Sequence, residues 1–462
     1  MIVRLRLLTL VCVALLATSA TEVRAQSIEA ALAQAYMSNP TLNAQRAAAR
    51  AFDENVPQAL SGYRPTLDGT ADVSVDTTTS TAREGLPGMS RTSTTTLFPR
   101  GVGLQATQNL FNGFRTGNSV RAAESGVLGQ RESLRNIEQN ILLDAVTAYM
   151  NVLRDAAVLN LAQNNVEVLE EQLKQTQDRF DVGEVTRTDV EQAKASLAGA
   201  RSEMLGAQAQ LKSSTAIYRQ VIGSEPRRLG PGRSIEKLIP RRLESAIASG
   251  LKIHPSITAA LHAVDVAALQ VKVAEGALYP SLNATGSVSQ RWDAGNALET
   301  TNLTLGAFLS VPIYEGGVDY SRTRQAKETL GQRRIEADVT REQVRAAIVS
   351  AWGVLEASIA QISATQAQVA AAEVALSGVR EEAKVGQRTT LDVLNQQQAL
   401  LNARVALVTA QRDRVVAAYS LLSSIGKLTA KTLRLKVTEY DPGVHYDQVR
   451  NKWIGTSTPD GR

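Results

Sequence analysis

Two carboxylates occupy the same setting in this sequence. Asp189 ends the stretch VGEVTRTD that begins at Val182, and Asp392 ends VGQRTTLD from Val385, 203 positions later. A glycine six residues before an aspartate suits a helix stop followed by a new first turn, where the helix dipole favours an acidic side chain. What such carboxylates offer is charge, for capping a helix or drawing cations. The rest of the chain adds little reactive chemistry. His254, His262 and His445 have no ligand-like spacing and read as incidental, and no phosphate loop, metal cluster or nucleophile arrangement is present. We therefore expect no enzyme, no catalytic residues, no metal site and no cofactor.

The ends bound the setting. Arg4 and Arg6, the apolar run Leu7–Ala17 and Val23-Arg24-Ala25 read as an export leader with a cleavage site, so the mature chain should begin at Gln26. Cys12, the single cysteine, falls inside that leader, which leaves no thiol, disulfide or lipid-bearing cysteine. The formal charge of +5 drops to +3 without the leader's three arginines and Glu22, too weak for a nucleic-acid partner. No later segment reads as long and apolar enough for a helical membrane span. Aromatics are 4% of the chain, which suits long helices packed along small side chains.

The elements that position the two aspartates are themselves written twice. SNPTLNAQRAAARA from Ser38 matches IHPSITAALHAVDV from Ile253, and RPTL at Arg64 matches YPSL at Tyr279, both at an offset of 215. LFNG at Leu110 matches IYEG at Ile313 at 203, so the first copy carries 12 extra residues in a Thr/Ser-rich loop around Thr77–Thr96. Each copy begins with a short helix up to Pro40 or Pro255, then a second helix expected to end near Pro65 or Pro280. These markers divide the chain into a leader, 1–25; a first repeat, 26–223, with a strand pair about 65–110 and a hairpin tip near 183; a linker, 224–240; a second repeat, 241–426, with a strand pair about 281–312 and a tip near 386; and a C-terminal segment and tail, 427–462.

Four segments alternate apolar and polar residues. Leu67, Gly69, Ala71, Val73 and Val75 interleave with Asp68, Thr70, Asp72 and Ser74; Val102, Leu104 and Ala106 with Gln105 and Thr107; Leu282, Ala284, Gly286 and Val288 with serines, threonine and asparagine; and Leu303, Leu305, Ala307 and Leu309 likewise. Period two with one apolar face is a half-buried strand. An ordinary soluble sheet has that pattern too. Here each segment approaches the roughly 9–11 residues of a membrane-spanning strand in an exported chain, so outer-membrane lipid becomes the expected partner of the apolar face. Four strands cannot close such a barrel, so subunits must pool them; two chains would give eight strands and three would give twelve.

After Gly113 and Gly317 come long proline-free stretches with apolar residues at every seventh position. One row is Ile348, Leu355, Ile362, Val369, Leu376 and Ala383, matched at the 203 offset by Ala145, Val152, Leu159, Val166, Leu173 and Phe180. Sustained heptads predict left-handed coiled coils on the order of 100 Å long. Returning helices carry rows of their own, from Val190 to Tyr218 and from Leu394 to Leu422, so Val182-Gly183 and Val385-Gly386 join antiparallel helices at hairpin tips. Thr186 and Thr389 are placed to cap the returning helices.

In the order of these signatures (N-P-x-L and H-P-x-I, x-P-x-L before a strand, L-F-N-G and I-Y-E-G-G after one, V-G-x5-D-V at both tips) the chain resembles the TolC family of outer-membrane efflux and secretion channels, over essentially its whole mature length. The resemblance implies a mixed α/β membrane protein. It would be a homotrimer whose twelve-stranded β-barrel, four strands per chain, lies in the outer membrane and continues as a helical coiled-coil tunnel in the periplasm. It also implies a periplasmic adaptor and an inner-membrane RND or ABC pump as partners. The expected function is the outer-membrane channel-tunnel of a tripartite pump exporting drugs, bile salts and other toxic compounds. An exit duct for type I protein secretion is the alternative, and a trimeric coiled-coil surface adhesin a remote one, since an adhesin's strands would gather at the C-terminus. Carried over residue by residue, Asp392 takes the constriction aspartate, Arg388 a nearby latch arginine, and Thr188 and Asp189 its partners on the first tip. Asn395 falls where the family has a second aspartate and Ala383 where it has a gate tyrosine. Val182, Gly183, Val385 and Gly386 become the tips that the adaptor contacts.

Overall fold

The computed structural model describes residues 26–83, 90–232, 235–294 and 297–461, and the expected leader at 1–25 lies outside them. The chain forms two compact units, each drawing on both halves of the sequence. One comprises the residues through Gln45 with Leu134–Pro255 and Arg341–Tyr440, and the other Arg46–Ser133, Ser256–Thr340 and the residues from Asp441 onward. In chain order the helices are α1 (Ile28–Ser38), α2 (Pro40–Asp53), α3 (Asn55–Leu60), α4 (Arg115–Asp181), α5 (Arg187–Ile222), α6 (Leu243–Ile253), α7 (Pro255–Gly276), α8 (Val318–Lys384), α9 (Thr390–Ser424) and α10 (Pro442–Val449). The strands are β1 (Thr66–Val73), β2 (Asp76–Arg83), β3 (Ser90–Leu97), β4 (Arg100–Asn112), β5 (Ser281–Ala294) and β6 (Ala297–Ser310). The second helix of the first copy is thus shorter than expected. It stops at Asp53, and α3 and a 3-10 turn, Ser61–Tyr63, complete the approach to Pro65.

The second unit holds an antiparallel sheet in the order β1-β4-β5-β6. Its register aligns the apolar residues of all four strands: Leu67, Ala106, Gly286 and Leu305 form one row, and Gly69, Leu104, Val288 and Leu303 the next. Because side chains alternate across a strand, the rows between them collect the polar residues, as in Asp68, Gln105, Ser287 and Thr304. The apolar face stays uncovered, with Leu303 at 73% and Leu305 at 80% of full exposure. A soluble sheet covers that face instead. Strands β1 and β6 pair on one side only, which leaves two edges with unspent backbone hydrogen bonds.

The Thr/Ser-rich stretch expected as a loop contains a two-stranded ribbon. Strands β2 and β3 pair antiparallel with threonine opposite threonine, and the hydroxyls of Thr77 and Thr96, Thr79 and Thr94, and Thr81 and Thr92 lie 3.1–3.2 Å apart. Threonine at every second position favours the extended backbone, and cross-strand Thr pairs hold it. The Ser74 amide donates to the Pro99 carbonyl at 2.9 Å, tying the ribbon's base.

Where β4 turns into α4, Gly113 has φ +66°, and a Cβ there would lie 2.2 Å from the Gly276 carbonyl oxygen. Only glycine fits this close approach. Also in this unit, α10 is fixed by His445, whose Nδ1 lies 3.0 Å from Asp53 Oδ2, and by Arg450, which donates to Glu124 at 2.9 Å. The C-terminal segment is therefore packed, and His445, expected to be incidental, has a structural partner buried to 3% exposure. Burial pushes the Asp53 carboxyl above its ordinary range.

The first unit is helical. Its core gathers Tyr149, Tyr218, Leu142, Ile222, Ile348, Leu421, Leu422 and Ile425, all under 2% exposed. The Tyr149 hydroxyl lies within hydrogen-bond reach of the carbonyls of Gln26 (2.8 Å) and Gly230 (2.7 Å), so the start of the described chain and the linker meet at one buried phenol. The heptad row on α8 is buried at Ile348, Leu355 and Leu376, and on α4 at Ala145, Val152 and Val166, as the seven-residue period requires.

One sequence reading needs correction. Two stretches, Leu243–Gly276 and one within Val318–Lys384, do pass the length and apolarity test for a helical span. The first is broken between α6 and α7 at His254-Pro255, where proline cannot continue the hydrogen-bond ladder, and the second carries the heptad row of α8.

Candidate functional site: the two hairpin tips

Helices α4 and α8 both run 67 residues and both end at a glycine in the left-handed region, Gly183 at φ +83° and Gly386 at φ +76°. The bonds match a Schellman stop. Glu184 N donates to Arg179 O and Gly183 N to Phe180 O, both at 2.9 Å; Gln387 N donates to Glu382 O at 3.0 Å and Gly386 N to Ala383 O at 3.2 Å. A Cβ on either glycine would meet nothing within 4 Å, so backbone conformation alone demands them. Val182 and Val385 project from the tips, about three-quarters exposed.

Each stop is clamped by an ion pair, and the charges are exchanged between copies. Arg179 Nε donates to Glu184 Oε2 at 3.0 Å in the first tip; at the position 203 later stands Glu382, which accepts from Arg388 Nε at 2.9 Å. That bond, with the nearby Glu382 and Asp392 charges, raises the Arg388 pKa further. Among the described residues Arg388 does not touch Thr188 or Asp189, its expected latch partners, within one chain; the two hairpins present these groups from separate tips.

Both aspartates close capping boxes. Asp392 Oδ2 accepts from the Thr389 amide at 3.0 Å and hydroxyl at 2.9 Å, while the Asp392 amide lies 3.2 Å from Thr389 Oγ1. Asp189 does the same with Thr186 at 2.9, 2.7 and 3.4 Å. The Thr389 bonds hold the Asp392 carboxyl below its usual range, with Arg388 adding to the effect. Thr188 is exposed on the first turn of α5 and Asn395 on the second turn of α9, and Ala383 packs beside Val379 against a cluster of Leu376, Val393 and Leu400.

The tips are braced from behind. Arg201 donates to Glu170 at 2.6 Å across the first hairpin, and the equivalent Arg404 to Glu373 at 2.7 Å across the second. Leu394, beside the Asp392 cap, packs into the first hairpin's cluster of Val166, Leu169, Leu197 and Ala200, which joins the two hairpins. Arg412 Nε to Asn151 Oδ1 at 2.9 Å is a further tie. Sequence reasoning missed Glu382 and Arg179 as tip residues. The available signal was an opposite charge five residues on from Arg179, at Glu184, and six residues on from Glu382, at Arg388, a spacing that lets the side chains meet over a Schellman turn. Among the described residues no group of three His, Cys, Asp or Glu is close enough to hold a metal.

Comparison with known proteins bears on the whole chain. Residues 31–224 and 247–427 match the family described as Outer membrane efflux protein. The chain is 45% identical over 439 residues to Outer membrane efflux protein BepC of Brucella suis, covering 95% of this chain and 93% of that protein. It is 26% identical to Outer membrane protein TolC of Escherichia coli over 426 residues, 89% of this chain and 84% of that one. Among solved structures, the Campylobacter jejuni CmeC outer membrane channel superposes with a TM-score of 0.75 at 17% identity, covering 92% of this chain and 89% of CmeC.

Proposed function

The chain belongs to the outer membrane efflux protein family, and from that premise we infer that it is the exit duct of a tripartite efflux pump, passing drugs, bile salts and other toxic amphiphiles out of the cell. One observation carries the reading. A four-stranded sheet with a continuous exposed apolar face and two free edges is joined in the same chain to 67-residue helices. In lipid every backbone group must find a partner, so the free edges of β1 and β6 require neighbouring copies. Three copies would close twelve strands around a lumen and place six helical hairpins in the periplasm.

In that assembly the halves 26–223 and 241–426 act as alternating, near-equivalent staves. Both tips, Val182-Gly183 and Val385-Gly386, present their exposed turns to a periplasmic adaptor, which couples the duct to an inner-membrane RND or ABC pump. Three Asp392 carboxylates form an acidic constriction that favours cations, and Asn395 contributes a neutral ring beside it. Arg388 latches the closed tip by engaging Thr188 and Asp189 of an adjacent hairpin. Its pairing with Glu382 within one chain supports a weak, exchangeable latch, because a surface pair of this kind contributes little.

Deleting the gene and comparing drug and bile-salt sensitivity with the profile of secreted proteins tests the reading. Hypersensitivity with unchanged secretion supports an efflux duct. Normal sensitivity with a lost secreted protein would assign the duct to type I secretion.

A further inference from the structure

We propose that the C-terminal segment after α10 is a lipid-interface anchor, seated by Trp453 and Ile454 in the phospholipid headgroup layer at the helix-side end of the sheet. The segment is built into its unit rather than trailing from it. Arg64 Nη1 donates to the Lys452 carbonyl at 2.9 Å, and the same guanidinium lies 4.6 Å from the centre of the Trp453 ring. Arg64 precedes β1 by two residues, so the contact fixes Trp453 level with the first residues of the sheet. Upstream, the His445–Asp53 and Arg450–Glu124 pairs hold α10 in place.

With its place fixed, Trp453 remains 65% exposed and Ile454 88%. An apolar pair left so bare by a packed segment indicates a non-aqueous partner. Its surroundings identify which. At this end of the sheet Tyr63 precedes β1, Tyr279 precedes β5 and Tyr314 follows β6, each more than half exposed. Tyrosine and tryptophan collect where acyl chains meet headgroups, because each has an apolar body and one polar group. Trp453 therefore shares the level of the exposed tyrosines that flank the strand ends. Lys452 adds a cation suited to phosphate in a segment outside the barrel strands, while Arg450 is engaged with Glu124.

The test uses the full chain in phosphatidylcholine vesicles, with Trp292→Phe and Trp352→Phe leaving Trp453 as the sole tryptophan. Lipids brominated near the headgroup should quench its fluorescence at least about twofold more than lipids brominated near the chain terminus, as for an interfacial tryptophan, and aqueous iodide should quench it little. The Trp453→Phe variant, with Trp292 and Trp352 intact, gives the same component by difference should the double variant fold poorly. Strong iodide quenching would place Trp453 in water, and quenching by neither probe would place it against protein; either result overturns the anchor.

Discussion

Asp392 Oδ2 accepts two hydrogen bonds from Thr389, one from its amide and one from its hydroxyl, at 3.0 and 2.9 Å. The carboxylate is thereby held in one orientation at the start of α9, with its second oxygen outside the cap. A pore that uses this charge needs no further side chain to aim it. Purified protein in planar bilayers should show small, cation-selective conductance blocked by multivalent cations, and Asp392→Ala should weaken the block. Asp189→Ala, which removes the equivalent cap of the first tip and a latch partner of Arg388, should raise conductance while the Asp392 ring still binds the multivalent cation. Equal block in wild type and Asp392→Ala would remove Asp392 from the constriction.

Arg388 pairs with Glu382 in its own tip, so the latch depends on competition. Arg388→Ser should raise single-channel conductance by loosening the tip. Glu382→Gln, which frees the guanidinium for an adjacent hairpin, should keep the channel at or below wild-type conductance. A closed, wild-type-like Arg388→Ser channel would count against the latch.

Two glycines with positive φ should respond differently to alanine. Gly386→Ala meets no neighbour and incurs only left-handed backbone strain, about 1–2 kcal/mol, so the trimer on gels should persist with a modestly lower melting temperature. Gly113→Ala drives a methyl group to 2.2 Å from the Gly276 carbonyl and should abolish the heat-resistant trimer. Band intensity against temperature reads both.

How far such contacts can be read in advance depends on their range. Periods of two and seven, and glycine followed by a capping aspartate, are local rules, and they foretold the strands of the sheet, the long helices and both tips. The β2–β3 ribbon escaped because serine and threonine mark loops as readily as strands until pairing decides. His445 with Asp53, 392 residues apart, follows no period at all. The Arg179–Glu184 and Arg388–Glu382 clamps were hidden by their exchanged charges, which break the match between the copies.

Burial holds the pKa of His254, the residue between α6 and α7, below its ordinary 6.5. The unfolded chain therefore binds a proton there that the folded chain resists, and stability is lost as pH falls from 6.5 through the folded value. The melting temperature of wild type should drop over that window, and His254→Gln should flatten the drop. Parallel curves for the two proteins would show that His254 titrates alike in both states.

The efflux rate of a preloaded fluorescent dye tests the central claim most directly. Cells lacking the gene should lose dye slowly, wild-type protein should restore the rate, and Gly113→Ala should not. Equal rates with and without the wild-type protein would contradict the account.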